Sequence, residues 1–199
     1  MSNPAFFVDG ITEQRAIQKI CPGVKINTTQ CNGKSVTIPT IAKRLSSLIK
    51  LLNNRHYPII IIIDREDRKE SSEEIKNLLE NELLEINIGV PFFVGVCDRM
   101  IENWMLADVQ NLQKYSSKTV IPPSNYDSLH GKSTIKKIIP SYHETTDGVK
   151  ILSSCCSRKL YRNSPSFKLF AETIKGQIEC HWLENAIVEM EATYKEDAV

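Results

Sequence analysis

At 199 residues, with 41% apolar and 25% charged side chains and a net charge of +1, the chain has the composition of one large globular domain, or of a domain with an appendage. No apolar run approaches the ~20 residues that a membrane-spanning helix needs. The opening Met1-Ser2-Asn3-Pro4 has neither the basic nor the apolar region of a secretory signal, so a cytoplasmic protein with no membrane partner is expected.

Ala5-Phe6-Phe7-Val8 is an apolar run stopped by Asp9-Gly10, which predicts a first strand closed by a tight turn. Thr12 to Ile20 carries Ala16, Ile17 and Ile20 at helical spacing, and Cys21-Pro22-Gly23 breaks that helix. Val24 to Asn27 predicts a second strand, and Asn32-Gly33 a turn. Ile38 to Leu52 repeats apolar residues at Ile41, Leu45, Leu48, Ile49 and Leu52, the pattern of an amphipathic helix. Pro58 then opens the isoleucine run Ile59 to Ile63, whose β-branched side chains predict a strand buried on both faces, as in the middle of a parallel sheet. The run ends abruptly in Asp64-Arg65-Glu66-Asp67-Arg68.

Ser71 or Ser72 can cap a helix through Leu78, Leu79 and Leu83, with Glu73 and Glu74 favourable in its first turn. Val90 to Cys97 reads as a further strand and Met100 to Asp108 as a helix. From Val109 the pattern changes. Pro122-Pro123 and Gly131 punctuate a segment that reads as helices, the clearest from Pro165 to Tyr194 with Ser164 as cap and Gly176 as a point of interruption. The alternation of strand and helix predicts an α/β fold: a mostly parallel sheet flanked by helices over residues 1–110, with a mainly helical part over 111–199 packed on it.

Charge is unevenly spread. Residues 111–175 carry 11 basic and 4 acidic side chains, whereas residues 1–110 carry 13 and 14. A basic segment following an acidic cluster suits an enzyme that acts on a polyanion; an unevenly charged solvated surface explains it equally well. The six cysteines, Cys21, Cys31, Cys97, Cys155, Cys156 and Cys180, are scattered with no Cys-x-x-Cys pair. Small buried thiols are expected rather than a disulfide framework or a zinc site at Cys180-His181.

The concentrated chemistry is carboxylate. Asp64, Glu66 and Asp67 crowd the end of the isoleucine strand, and Asp9 and Glu13 flank the end of the first. In open α/β sheets ligands bind at the carboxyl ends of the strands. Acids packed closely repel one another unless a cation sits among them, and hard oxygens suit Mg²⁺ or Mn²⁺. Gly33-Lys34-Ser35 lacks the upstream glycine of a phosphate-binding loop, and no serine nucleophile elbow or zinc-binding His-Glu-x-x-His helix is present. Each acid also has a plainer role. Asp9 suits a turn, Glu13 a helix N-terminus, and Glu102 an ion pair with Arg99. Lys132, Lys136, Lys137, Arg158 and Arg162 are candidate phosphate contacts or simply exposed helix faces.

The motifs then carry a resemblance. Phe6-Phe7-Val8-Asp9-Gly10-Ile11-Thr12-Glu13 resembles the first Toprim motif, an apolar strand followed by Glu-Gly-x-Thr-Glu. Ile60-Ile61-Ile62-Ile63-Asp64-Arg65-Glu66 resembles the second, an apolar strand followed by Asp-x-Asp. The stretch from Ile101-Glu102 through Trp104 to Leu106-Ala107-Asp108 resembles a segment of a small bacterial family of unknown function with a Toprim-like core. Gly131-Lys132 to Tyr142 and Ser164-Pro165-Ser166-Phe167 are similar to that family's later half.

The resemblance implies a Toprim-like, Rossmann-like parallel sheet with Mg²⁺ (or Mn²⁺) held by Asp9, Glu13, Asp64 and Glu66; beside them Asp67 and Glu102 are expected as supporting acids, and Lys132 and Lys136 on the substrate backbone. It also implies a nuclease on DNA or RNA, related to those of the overcoming-lysogenisation-defect type, acting in antiphage defence beside an ATPase, with self-association left open. Two departures matter. Asp9 stands where the motif has Glu, and Glu66 where it has the second Asp. A non-catalytic adaptor subunit is therefore the alternative expectation, and a phosphoacceptor receiver domain a weaker third.

Overall fold

The computed structural model of the chain describes residues 3–187 other than 32, 34 and 124. Strand β1 (Ala5–Val8) leads through Asp9-Gly10 into helix α1 (Ile11–Ile20), followed by β2 (Lys25–Thr28), α2 (Ile38–Lys50), β3 (Ile59–Asp64), α3 (Ser72–Ile86) and β4 (Phe92–Cys97). The four strands form one parallel sheet in the order β2-β1-β3-β4. Register places Val8 beside Thr28 on one side and Ile62 on the other, so the chain leaves β1, β2 and β3 at nearly the same level. The order reverses between β1 and β3, which makes their carboxyl ends the topological switch point where such sheets bind ligands.

The isoleucine run is buried on both faces, as a central parallel strand requires. Alternate residues serve different layers. Phe6, Val8, Ile60 and Ile62 join one apolar cluster, with α1 residues Ala16 and Ile17. Ala5, Phe7, Ile59, Ile61 and Ile63 join the other, with Ile41 and Leu45 of α2 and Ile75 and Leu79 of α3. Each buried isoleucine contributes about 1.5–3 kcal/mol. Local signals agree: Thr37 caps α2, and Ser71 with Glu74 completes a capping box on α3.

The second half of the chain supplies the helices that cover the first cluster. These are α4 (Glu102–Leu106), α5 (Val109–Gln113), α6 (Gly131–Ile138), a π-helical turn at Glu144–Gly148, α7 (Val149–Ser154), α8 (Ser157–Asn163) and α9 (Pro165–Thr173). At its centre Trp104 stacks on Phe170 and meets Phe167 edge to face, and the Trp104 indole N–H donates to the Ser166 hydroxyl. Ser164 caps α9 with Pro165 at its first position. The expected long helix to Tyr194 stops at Thr173. Gly176 takes φ +71°, and helix resumes over 181–187; the remainder of that stretch lies outside the described residues.

One expectation is corrected. Cys21 and Cys180 form a disulfide, with Cα atoms 5.3 Å apart. They lie 159 residues apart in sequence, and only packing of the final helical stretch on the end of α1 brings them together. Cys31, Cys97 and Cys155 are buried free thiols, as expected, and Cys156 is partly exposed. The zinc reading fails with the pairing, since Cys180 is bonded and the exposed His181 meets Glu184. Among the described residues, no helix is long and apolar enough to cross a membrane.

Gly95 in β4 is where α9 meets the sheet: a Cβ there would overlap the Phe170 ring. Gly95→Val is expected to cost at least about 1–3 kcal/mol, read from a denaturation midpoint. Adding Phe170→Ala, which removes the ring, should make the valine nearly neutral. A Gly95→Val chain as stable as the parent would contradict this packing.

Candidate active site

At the switch point, Asp9, Gly10, Ile11, Thr12, Glu13, Asp64, Glu66, Met100, Glu102, Lys132, Glu144 and Thr145 line a cavity of about 250 Å³. The six residues expected to do chemistry, Asp9, Glu13, Asp64, Glu66, Glu102 and Lys132, are all in it. Each arrives by a different route. Asp9 follows β1 and Asp64 ends β3. Glu13 projects from the first turn of α1, buried with Thr12. Glu102 opens α4 and is 2% exposed. Lys132 enters from the first turn of α6, which reaches the site because Gly131 lies against α4; a Cβ there would press on Asn103 and on the Glu102 side chain.

Asp9 binds the strand ends to one another. Its Oδ1 accepts the Thr29 hydroxyl hydrogen at 2.9 Å, from just beyond β2. Its Oδ2 accepts the Asp64 backbone N–H at 2.9 Å, from the end of β3. The loop after β3 is held from outside the cavity. The Arg68 guanidinium donates to the carbonyls of Asp64, Arg65, Gly33 and Val36 at 3.0–3.1 Å. Arg65 pairs with Asp98 at 2.6 Å. Neither arginine therefore ion-pairs with Asp64 or Glu66. Glu66 adopts φ +58° and accepts the Gly33 N–H at 3.2 Å.

Charge is poorly balanced in the cavity. Six carboxylates face one ammonium, and that ammonium, Lys132 Nζ, already pairs with Glu144 at 2.6 Å. Burial pushes the Asp9 carboxyl up to about 6, against the Asp64 N–H and Thr29 hydroxyl that favour its anion. Burial also pushes Glu13 up to about 7, aided by the charges of Asp9, Glu102 and Glu144. Asp64 lies well above the usual carboxylate range through burial and then Glu13, Asp9, Glu102 and Glu66. Burial raises Glu102 too, opposed by Lys132 and by the Tyr142 hydroxyl that donates to it at 3.3 Å. Burial disfavours the Lys132 cation, but Glu144, Glu102 and Asp64 outweigh it and raise its pKa.

Other sequence candidates fall elsewhere. Asp67 pairs with Arg99 and does not line the cavity, which also removes Arg99 as a partner for Glu102. Lys136 and Lys137 are exposed on α6, and Arg158 and Arg162 on α8; none lines the cavity. His130 caps α6 through Nδ1. Sequence reasoning missed Glu144 and the Tyr142 hydroxyl. Glu144 is one of only 4 acids in the basic segment 111–175, and that isolation was the available signal.

A family model described as a domain of unknown function (DUF4276) matches residues 8–175. The chain belongs to the DUF4276 family. No curated protein and no solved structure matches it. The match to DUF4276 begins at the end of β1 and closes just after α9, so it contains every residue that lines the cavity.

The donor set suits a hard divalent cation in kind, since every charged ligand is a carboxylate oxygen and the site lacks positive charge. Among the described residues no three acids, histidines or cysteines already form a closed ligand group. Mg²⁺ does not require one: it keeps several waters and takes one or two carboxylates. Asp64 and Glu13 are the acids best placed to hold it, because among the described residues neither accepts a hydrogen bond from another side chain, whereas both Asp9 oxygens do structural work.

The raised acids make stability depend on pH in a defined direction. With folded-state values of about 6 for Asp9 and about 7 for Glu13, above those of the unfolded chain, the folded state retains protons that the unfolded state releases. Their contribution is complete below about pH 4 and is lost as pH rises through 6 and 7. A one-unit shift is about 1.4 kcal/mol and moves Tm by roughly 3–5 °C for a chain of this size. In EDTA, Tm at pH 8 is expected to lie at least about 3 °C below that at pH 5, with a smaller drop in Glu13→Gln. Equal drops in both chains would contradict the assignment.

Proposed function

We propose that this DUF4276 protein is a Mg²⁺-dependent nuclease on a Toprim-like fold, hydrolysing phosphodiester bonds in DNA or RNA. The observation that carries this reading is the convergence of six carboxylates, with one already-paired lysine, on a cavity at the β1/β3 switch point. A divalent cation, when bound, supplies charge neutralisation at the phosphate and activates water for attack.

The chain's own groups do the rest. Asp64 and Glu13 hold the cation, and Asp9 positions Asp64 through the backbone N–H. Glu102 is oriented by the Tyr142 hydroxyl, and burial raises its pKa above the usual carboxylate range, which suits it to take or return a proton. Lys132 exchanges Glu144 for a phosphate oxygen of the substrate. Glu66, tied to the Gly33 N–H, keeps the loop after β3 in place. The resemblance of the motifs supports a place as the effector of a bacterial antiphage system, beside an ATPase subunit.

A second reading rests on Asp9. Both of its oxygens are committed to strand ends, which suits a chain that keeps the architecture of a metal site while serving as a non-catalytic adaptor of an ATPase complex.

The test is cleavage of labelled DNA and RNA with Mg²⁺ or Mn²⁺, alone and with products of neighbouring genes. Asp64→Asn and Glu13→Gln are each expected to lower the rate by at least about 100-fold, with the fold intact by circular dichroism. Cleavage that survives both substitutions rules out this mechanism. Metal-insensitive binding to an ATPase, with no cleavage of any substrate, establishes the adaptor instead.

A further inference from the structure

The cations nearest the cavity are spent on internal partners: Lys132 on Glu144, Arg65 on Asp98, Arg99 on Asp67, and Arg68 on backbone carbonyls. A substrate carrying many phosphates needs cations that remain available. Arg15, Lys19 and Lys150 answer that description. All three are exposed, and no ion pair or side-chain hydrogen bond engages them among the described residues.

They are not scattered. Arg15 and Lys19 are four residues apart on one face of α1, and Lys150 is the second residue of α7, which packs against α1. Together with Gln18, Thr145 and Thr146 they line a groove of about 440 Å³. Thr145 lines this groove and the acidic cavity alike. The groove and the acidic cavity are therefore neighbours that meet at Thr145, and one α1 helix carries both Glu13 for the cavity and Arg15 and Lys19 for the groove. Among the described residues, the depression formed by Asp9, Gly10, Ile11, Thr28 and Gln30, which also adjoins the cavity at Asp9, is lined by no basic side chain.

We propose that the α1/α7 groove is the track for the phosphodiester backbone of a polynucleotide whose scissile phosphate sits in the acidic cavity. This inference rests on the nuclease reading of that cavity. Arg15, Lys19 and Lys150 neutralise successive phosphates, and the Thr145, Thr146 and Gln18 side chains offer neutral hydrogen bonds along the same path. Lys136, Lys137, Arg158 and Arg162, which line neither the cavity nor the groove, are then replaced as backbone contacts by Arg15, Lys19 and Lys150, which line the groove that meets the cavity at Thr145.

The experiment is fluorescence anisotropy in EDTA with labelled DNA and RNA oligonucleotides, single-stranded and duplex, as a function of salt. Neutralising three phosphate contacts lowers the slope of log K against log salt by about 2–3, so Arg15→Gln/Lys19→Gln/Lys150→Gln should lose that much slope and bind at least about 10-fold more weakly at low salt. Lys43→Gln/Lys50→Gln, exposed on α2 across the sheet, should bind like the parent. Loss of slope without cleavage of any substrate keeps the groove and removes the nuclease reading. Unchanged binding by the triple variant overturns the groove, whatever the cleavage assay shows. So does a parent chain that binds no oligonucleotide.

Discussion

The Asp9 carboxylate is the constraint from which the site follows. A parallel sheet lets neighbouring strands end at one level, and a side chain at the end of β1 can then tie the exits of both neighbouring strands together. Asp9 does so by accepting from the Asp64 N–H with one oxygen and the Thr29 hydroxyl with the other. A one-residue slip of β1 against β3 would turn every side chain to the other face, and the two apolar layers built from alternate isoleucines forbid that slip. The core therefore sets the register, and the register sets where the acids meet. The shorter side chain at Asp9, a departure from the motif it resembles, becomes intelligible: its work is done against the immediately adjacent strand ends.

The cost of this arrangement is carried locally. Glu13, Asp64 and Glu102 are buried near one another with little compensating positive charge, and their raised pKa values record first that burial and then the neighbouring acids. A chain selected only for stability would place apolar residues or ion pairs there. Local conflict of this kind, in an otherwise consistent structure, marks functional sites. Around it the second half of the chain acts as a lining. Helix α6, the π-helical turn and Tyr142 close the cavity over the sheet edge, adding Lys132, Glu144 and a hydroxyl to acids that the sheet supplies.

Much of the framework was legible because it rests on local signals. The isoleucine run announced a doubly buried strand, Asp9-Gly10 a sharp exit from β1, and Ser71 and Ser164 the starts of α3 and α9. The acids of the cavity were legible because each follows a strand or opens a helix. What escaped depends on long-range packing. Glu66 and Asp67 look alike in sequence, yet the left-handed backbone at Glu66 sends one to the cavity and the other to Arg99. The Cys21–Cys180 bond and the arrival of Glu144 need helices from the far half of the chain. Which basic residues line the groove beside the cavity, Arg15 and Lys150 rather than Lys136 and Arg162, depends on which helix faces which, and periodicity alone does not encode that.

The central claim is that acids from separate strand ends form a divalent cation site, and anomalous diffraction from crystals soaked in Mn²⁺ tests it most directly. The account predicts one strong peak inside the cavity, bordered by Asp64 and Glu13, that disappears in Asp64→Asn. A cavity without a peak at saturating Mn²⁺, or a peak that persists in that variant, would contradict it.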